Sequence, residues 1–265
     1  MAFRRFLRGQ VDPPTLERVA REVAERADEA VESVRPLQAD NWLSTPVVVN
    51  ERYFLKVITA QNSLVHALLT ASRNLGVFSS GAEGFFEHYG TPLEMAEHEL
   101  EATEQTRELG VNAPEPLDAF EFEGLGVLVL EYLPRFEPLD ALDRDALDAV
   151  APALFESLAR MHDAGLVHGD LRAENVLVAD GEVYFIDATK VSEAAVPEAR
   201  SYDVACALAT LSPLLGAREA VRVAAGSYDH GVLLDAEDYL DFVNMRPDHD
   251  FDAAATRGAI EHRVA

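Results

Sequence analysis

The chain has 265 residues, with 47 Asp and Glu against 22 Lys and Arg, a formal net charge of −25. Its 48% hydrophobic content supplies a core and excludes wholesale disorder. The acidic field repels nucleic acid and anionic membrane alike, so no direct nucleic-acid binding is expected and any phosphate must be held by a local site.

The kind of basic residue says more than the total, because only Lys56 and Lys190 are lysines and the rest are Arg. An acidic, lysine-poor surface points to a halophile, whose salt screens self-repulsion. Where lysine has been removed nearly everywhere, each survivor carries a raised expectation of being chemically required. Cys206 is the single cysteine, which excludes an internal disulfide, and its setting reads as a buried helix position. No stretch has the length and apolar character of a membrane span or a signal segment, so a cytoplasmic protein without a membrane partner is expected.

In chain order, Leu16, Val19, Val23, Ala27, Ala30, Val31 and Val34 recur at helical spacing and predict an amphipathic helix over 13–35, a packing element without chemistry. It would make residues 1–40 an N-terminal helical extension. Thr45 to Val49 and Tyr53 to Ile58, split by Asn50-Glu51-Arg52, predict a β-hairpin with Lys56 inside its second strand. A helix over 61–75 follows, then a loop from Gly76 to Gly90. A second helix starts near Thr91-Pro92, passes through Glu99 and stops at Gly110. Strands are expected near 117–122 and 126–131. Pro134 and Pro138 then mark the passage from a mixed first half, 41–133 with an insertion at 60–92, to a mostly helical second half, 134–265.

That second half opens with a long amphipathic helix over 143–164. A polar loop, a short strand, a turn at Asp180-Gly181 and another short strand ending at Asp187 come next. Helices near 200–215, 216–226, 235–244 and 251–262 complete the reading.

The chemistry concentrates in His168-Gly169-Asp170-Leu171-Arg172-Ala173-Glu174-Asn175, with Asp187 on the next hairpin. His-x-Asp-x-x-x-x-Asn is the arrangement in which a phosphotransferase loop places a carboxylate at the attacking hydroxyl and an amide on a metal ion, while a second carboxylate grips Mg²⁺ between phosphates. Phosphoryl transfer needs charge neutralisation and positioning more than covalent chemistry, so two oxygen ligands must converge on a hard cation. Taken alone, the motif also fits a polar hairpin loop with capping Asp and Asn. The order of the pieces weighs against that: a lone strand lysine, then a helical glutamate, then the loop and the second carboxylate.

With those residues in place, the stretch of about 45–215 resembles the protein-kinase-like fold, and is most similar to the atypical RIO-type and related archaeal serine/threonine kinases. The resemblance implies an α+β, two-lobed architecture with a small β-rich N-lobe and a truncated helical C-lobe. It implies ATP and Mg²⁺ as cofactors, Asp170 as the catalytic base orienting the acceptor, and Asn175 and Asp187 as metal ligands. Lys56 in Tyr53-Phe-Leu-Lys-Val-Ile would hold the phosphates, with Glu99 as its helical partner, chosen from Glu94, Glu97, Glu99, Glu101 and Glu104. Val127 to Pro134 resembles the hinge, where backbone groups near Glu131 and Leu133 would bind adenine. Asp203 would buttress the catalytic loop and His168 would orient it. Lys190 has no matching role.

Three departures stand out. No glycine lies between Leu43 and Glu51, where a phosphate-cradling loop is expected, and the stretch Ser79 to Gly84 is a possible substitute. Asp187-Ala188-Thr189 replaces Asp-Phe-Gly, which keeps the ligand and drops the switching aromatic. About a dozen residues between Asp187 and Ser201 leave no room for an ordinary activation loop. The resemblance thus implies a protein serine/threonine kinase acting on another protein or on itself. A small-molecule kinase of the aminoglycoside or choline type, with a small hydroxyl acceptor, is one alternative, and a nucleotide-binding pseudokinase or ATPase module is another.

Overall fold

The computed structural model describes residues 11–37, 44–62, 90–188, 196–246 and 249–265. Most of the 61–75 helix and the 76–90 loop lie outside the described residues, as does Lys190. Two compact units are present. The first takes the described residues up to Asn62, then 90–104 and Pro114–Pro134; the second takes Gln105–Ala113 and the described residues from Arg135 onward.

The first unit is built on five antiparallel strands, β1 (Val34–Pro36), β2 (Thr45–Val49), β3 (Tyr53–Ile58), β4 (Pro116–Phe122) and β5 (Leu125–Glu131), in the order β1-β2-β3-β5-β4. Alternation along the strands sorts side chains between two faces. Tyr53, Leu55 and Val57 of β3, with Val127 and Val129 of β5, pack on Leu16, Val19, Ala20 and Val23 of helix α1 (Pro13–Arg26). Ile58, Leu128 and Leu130 face the other way, onto Met95 and Ala96 of helix α2 (Pro92–Glu108). Lys56 lies between Phe54 and Ile58, so the same alternation sends it to the α2 face. The approach there is close: a Cβ on Gly126 would sit 2.0 Å from the Pro92 carbonyl oxygen.

Helix α1 stops at Arg26, nine residues short of the predicted end at 35. The Asp28 N–H bonds the Glu25 carbonyl and the Glu29 N–H the Ala24 carbonyl, closing a Schellman motif with Asp28 at φ +56°. Val34, which fits the helical stripe, instead pairs with Val49 as part of an edge strand. Pairing with β2 outcompetes a helix that Pro36 would have ended in any case. The packing role expected for this helix is what it has, but inside the core of the first unit.

The second unit holds a three-stranded sheet, β6 (Glu137–Pro138), β7 (Val176–Ala179) and β8 (Glu182–Phe185), in that order. Its turn, Asp180-Gly181, has φ +52° and +82°, the two positive values a two-residue hairpin of this kind requires. Helix α3 (Arg144–Asp163) is capped by Asp143, whose side chain accepts from the Ala146 N–H at 2.9 Å. It lays Leu147, Val150, Leu154, Leu158 and Met161 into the core. Helix α4 (Val196–Leu215) is buried on nearly all sides and forms the centre of this unit. Helices α5 (Ala217–Ala224), α6 (His230–Glu237), α7 (Leu240–Asn244) and α8 (Ala253–Val264) surround it.

The single helix expected over 235–244 is two helices. Asp229 caps α6 at residue 230, and the chain breaks at Asp238-Tyr239 before α7. The break lets Tyr239 and Phe242 both pack on the buried ring of Tyr202, with centroids 6.1 and 5.9 Å away.

Candidate active site

In the first unit Lys56 Nζ forms an ion pair with Glu99 Oε1. Lys56 is 6% exposed, and a buried ammonium requires a partner of opposite charge. The structure thus selects Glu99 from the run of glutamates on α2, and brings together the two residues the sequence proposed as a pair. At the end of β5, the Glu131 N–H donates to the Glu115 carbonyl at 2.8 Å, and the Tyr132 N–H to the Arg52 carbonyl at 2.8 Å. The Glu131 donor is thus committed to the sheet, which narrows the adenine-binding expectation there to its carbonyl. Leu133 follows, half-buried, beyond the last paired strand residue.

In the second unit the loop between α3 and β7 is held from behind by Asp203 of α4. Its Oδ2 accepts from the His168 N–H at 2.5 Å and its Oδ1 from the Gly169 N–H at 2.8 Å. His162 Nε2 stands 3.2 Å from Asp203 Oδ2, and Tyr228 Oη 2.9 Å from His162 Nδ1, so a buried Tyr-His-Asp chain supports two loop amides. Burial pushes the Tyr228 hydroxyl well above its ordinary range. His168 is also buried, and its pKa is lowered by desolvation against the opposing pull of Asp203, Asp170 and Asp187. Its Nδ1 accepts from the Asp170 N–H at 3.4 Å and its ring packs edge-on against Phe185, 5.4 Å away. It therefore shapes the loop as a neutral ring.

Asp170 is 8% exposed. Asn175 donates from Nδ2 to the Asp170 carbonyl at 2.8 Å, which turns its Oδ1 into the atom left for a cation. The Ile186 N–H bonds the Asn175 carbonyl at 3.1 Å and ties the end of β8 to the same loop. Asp187 comes one residue later, two past the strand, with φ +62°. A non-glycine residue in the left-handed region is strained unless its surroundings hold it there, and such positions gather at functional sites. The bonds of Asn175 thus tie Asp170 and the backbone just before Asp187 to one loop of the second unit.

This donor set fits Mg²⁺, which takes one or two protein oxygen ligands and completes its octahedron with water and substrate phosphates. No group of three or more His, Cys, Asp or Glu side chains able to hold a metal occurs among the described residues. Cys206 is buried and its thiol is pushed up to about 12 by burial, so it offers no thiolate.

Two features escaped sequence reasoning. Arg246 Nη2 donates to Asp170 Oδ1 at 2.7 Å, and Arg172 Nε stands 3.7 Å from Asp170 Oδ2. Arg246 is one arginine among many, 76 positions beyond Asp170, and nothing in its local sequence marks it. The His162–Tyr228 support was equally silent, because both residues sit on ordinary helical stripes.

The fold is that of protein-kinase-like proteins, and the chain is similar in part to the atypical RIO type. Residues 89–208 match the RIO domain family, a stretch that includes Glu99, Asp170, Asn175, Asp187 and Asp203 and excludes Lys56. The chain is 33% identical over 87 residues to the KEOPS complex subunit Bud32 of Pyrococcus abyssi, covering 31% of this chain and 38% of that protein. It is 35% identical over 85 residues to a Methanothermobacter thermautotrophicus protein named for bifunctional tRNA threonylcarbamoyladenosine biosynthesis, covering 31% of this chain and 15% of that one. The aligned region therefore spans well under half of either relative. Among solved structures, a Haemophilus somnus protein named as a fructosamine-3-kinase superposes over 93% of this chain and 97% of its own, with a TM-score of 0.51 at 12% identity. That likeness shows the α+β kinase fold.

Proposed function

We propose that this chain is an ATP- and Mg²⁺-dependent phosphotransferase of the atypical RIO type, which transfers the γ-phosphate to a hydroxyl, most simply Ser or Thr on a protein or on itself. The observation that carries this reading is the hydrogen-bonded loop of the second unit, where Asn175 bonds Asp170 and the Ile186 N–H bonds Asn175. Asp170 orients the acceptor hydroxyl and takes its proton. Asn175 Oδ1 and Asp187 hold the metal, which when bound neutralises charge on the phosphates. Lys56, fixed by Glu99, holds phosphate oxygens, and the Glu131 carbonyl with Leu133 holds adenine. The phosphate clamp is the weak point, since no glycine stands between β2 and β3. That absence favours a second reading as a nucleotide-binding pseudokinase or ATPase module. The name of the Pyrococcus abyssi relative, a subunit of a complex, supports a protein partner in either case.

The test uses γ-labelled ATP and Mg²⁺ in concentrated KCl, following label on protein and free phosphate together. Wild type is expected to transfer label to protein, and Asp170→Asn to lose about 10²–10⁴-fold in rate while binding ATP within a few-fold of wild type. Asp187→Asn is expected to weaken both, because it acts through the metal. Free phosphate without labelled protein favours an ATPase, and nucleotide binding without turnover favours the pseudokinase. Full turnover in Asp170→Asn rejects the assignment.

A further inference from the structure

We propose that Arg246 is a positioning residue for phosphoryl transfer, one that fixes the carboxylate plane of Asp170 from the C-terminal part of the chain. This inference rests on the reading of Asp170 as the acceptor-orienting base. Arg246 follows α7, is 8% exposed, and reaches Asp170 Oδ1 through Nη2 at 2.7 Å. Its other terminal nitrogen, Nη1, donates to the Tyr202 hydroxyl and stands 4.0 Å from Cys206 Sγ. Tyr202 is fully buried on α4, with Tyr239 and Phe242 against its ring.

A guanidinium presents its donors in a rigid planar fork, so a nitrogen anchored on Tyr202 fixes where the opposite nitrogen points. The torsion that turns a carboxylate plane is otherwise soft. With Oδ1 held by Arg246, the direction of Oδ2, 3.5 Å from Asn175 Nδ2 and 3.7 Å from Arg172 Nε, is set as well. A base that must align a hydroxyl for in-line attack gains from that constraint, since misplacement by about 1 Å can cost on the order of 10²-fold in rate. The guanidinium also supplies the counter-charge a carboxylate this buried requires. It acts on the acceptor side, so its effect belongs on kcat and not on ATP affinity.

The experiment compares wild type, Arg246→Met, Arg246→Lys, Tyr202→Phe and Asp170→Asn, with γ-labelled ATP and Mg²⁺ as probe, both labelled products counted, and thermal melting recorded for each. Arg246→Met is expected to lower kcat by about 10–100-fold with the ATP KM within about twofold of wild type. Arg246→Lys restores part of the loss, because a point charge pairs with Asp170 but cannot bridge to Tyr202. Tyr202→Phe lowers kcat several-fold without moving KM. If Arg246→Met does not fold, the Lys and Phe variants carry the same test. Wild-type kcat in folded Arg246 variants overturns the proposal, and a raised kcat does so too, by making Arg246 a brake on Asp170. Asp170→Asn separates the two levels: if it is inactive while Arg246 variants are normal, only the Arg246 role fails, and if it is fully active both fail.

Discussion

At the scale of single residues, several buried polar groups of the second unit converge on one loop. Asp203 accepts two backbone N–H groups and faces His162, and all of these atoms are buried. Replacing Asp203 with Asn substitutes a donor for one of the acceptors, leaving a buried loop amide unsatisfied. The expected cost is about 1–3 kcal/mol in urea unfolding, with transfer activity falling in the fraction still folded. His168 makes a pH prediction. Its folded pKa lies below its unfolded value of about 6.5, so the unfolded chain binds the proton first, and stability is lost as pH falls below that value. His168→Gln keeps a polar side chain without that titration, and a melting series from pH 8 to 5 is expected to fall less steeply than in wild type. Asp170, Asn175, Asp187 and Lys56 stood out in the sequence because the chemistry proposed for them demands fixed residue types at fixed spacing. Arg246 was not, since a guanidinium can reach the same carboxylate from any segment the fold brings near.

Secondary-structure elements were legible wherever local pattern and tertiary pairing agree. The β2–β3 and β7–β8 hairpins follow from apolar runs flanking turn residues, and the Asp180-Gly181 turn takes the backbone its sequence favours. The stripe of 13–35 misled because Val34 satisfies two patterns at once, and only pairing with Val49 decides between them. The split of 235–244 was hidden for a related reason: the register of α7 is set by packing on Tyr202, a residue more than thirty positions earlier. Gly126 tests how closely the elements of the first unit depend on one another. A methyl group there would meet the Pro92 carbonyl oxygen at 2.0 Å and its carbon at 2.4 Å, both backbone atoms that cannot swing aside. Gly126→Ala must therefore push the start of α2 off β5, at an expected cost of about 1–3 kcal/mol in denaturant unfolding. Because Glu99 rides on α2, the ATP KM is expected to rise in the same variant, whereas Gly258→Ala, with open space around it and no positive φ, should leave KM unchanged.

For the whole molecule the governing quantity is charge. Several arginines are already spent on exposed ion pairs, Arg18 with Glu123, Arg35 with Glu51, Arg144 with Asp148 and Arg257 with Asp241 among them. Each such pair is worth roughly 0–1 kcal/mol, and salt weakens it further. The surplus of acids over bases that produces −25 is left to repel itself, and self-repulsion opposes the compact state. The two effects of salt therefore have opposite signs. Contact pairs lose little on screening, because their charges lie closer together than the Debye length, about 10 Å at 0.1 M and about 3 Å at 1 M. Repulsion among acids spread over the surface acts at longer range, and is removed almost entirely over that interval. The balance predicts that raising KCl from about 0.1 to about 1 M increases the thermal midpoint, and that replacing exposed acids outside these pairs, such as Glu156, with Gln shrinks the increase. A midpoint that falls with KCl would mean that the surface pairs outweigh the surplus charge, and the expectation of adaptation to salt would go with it.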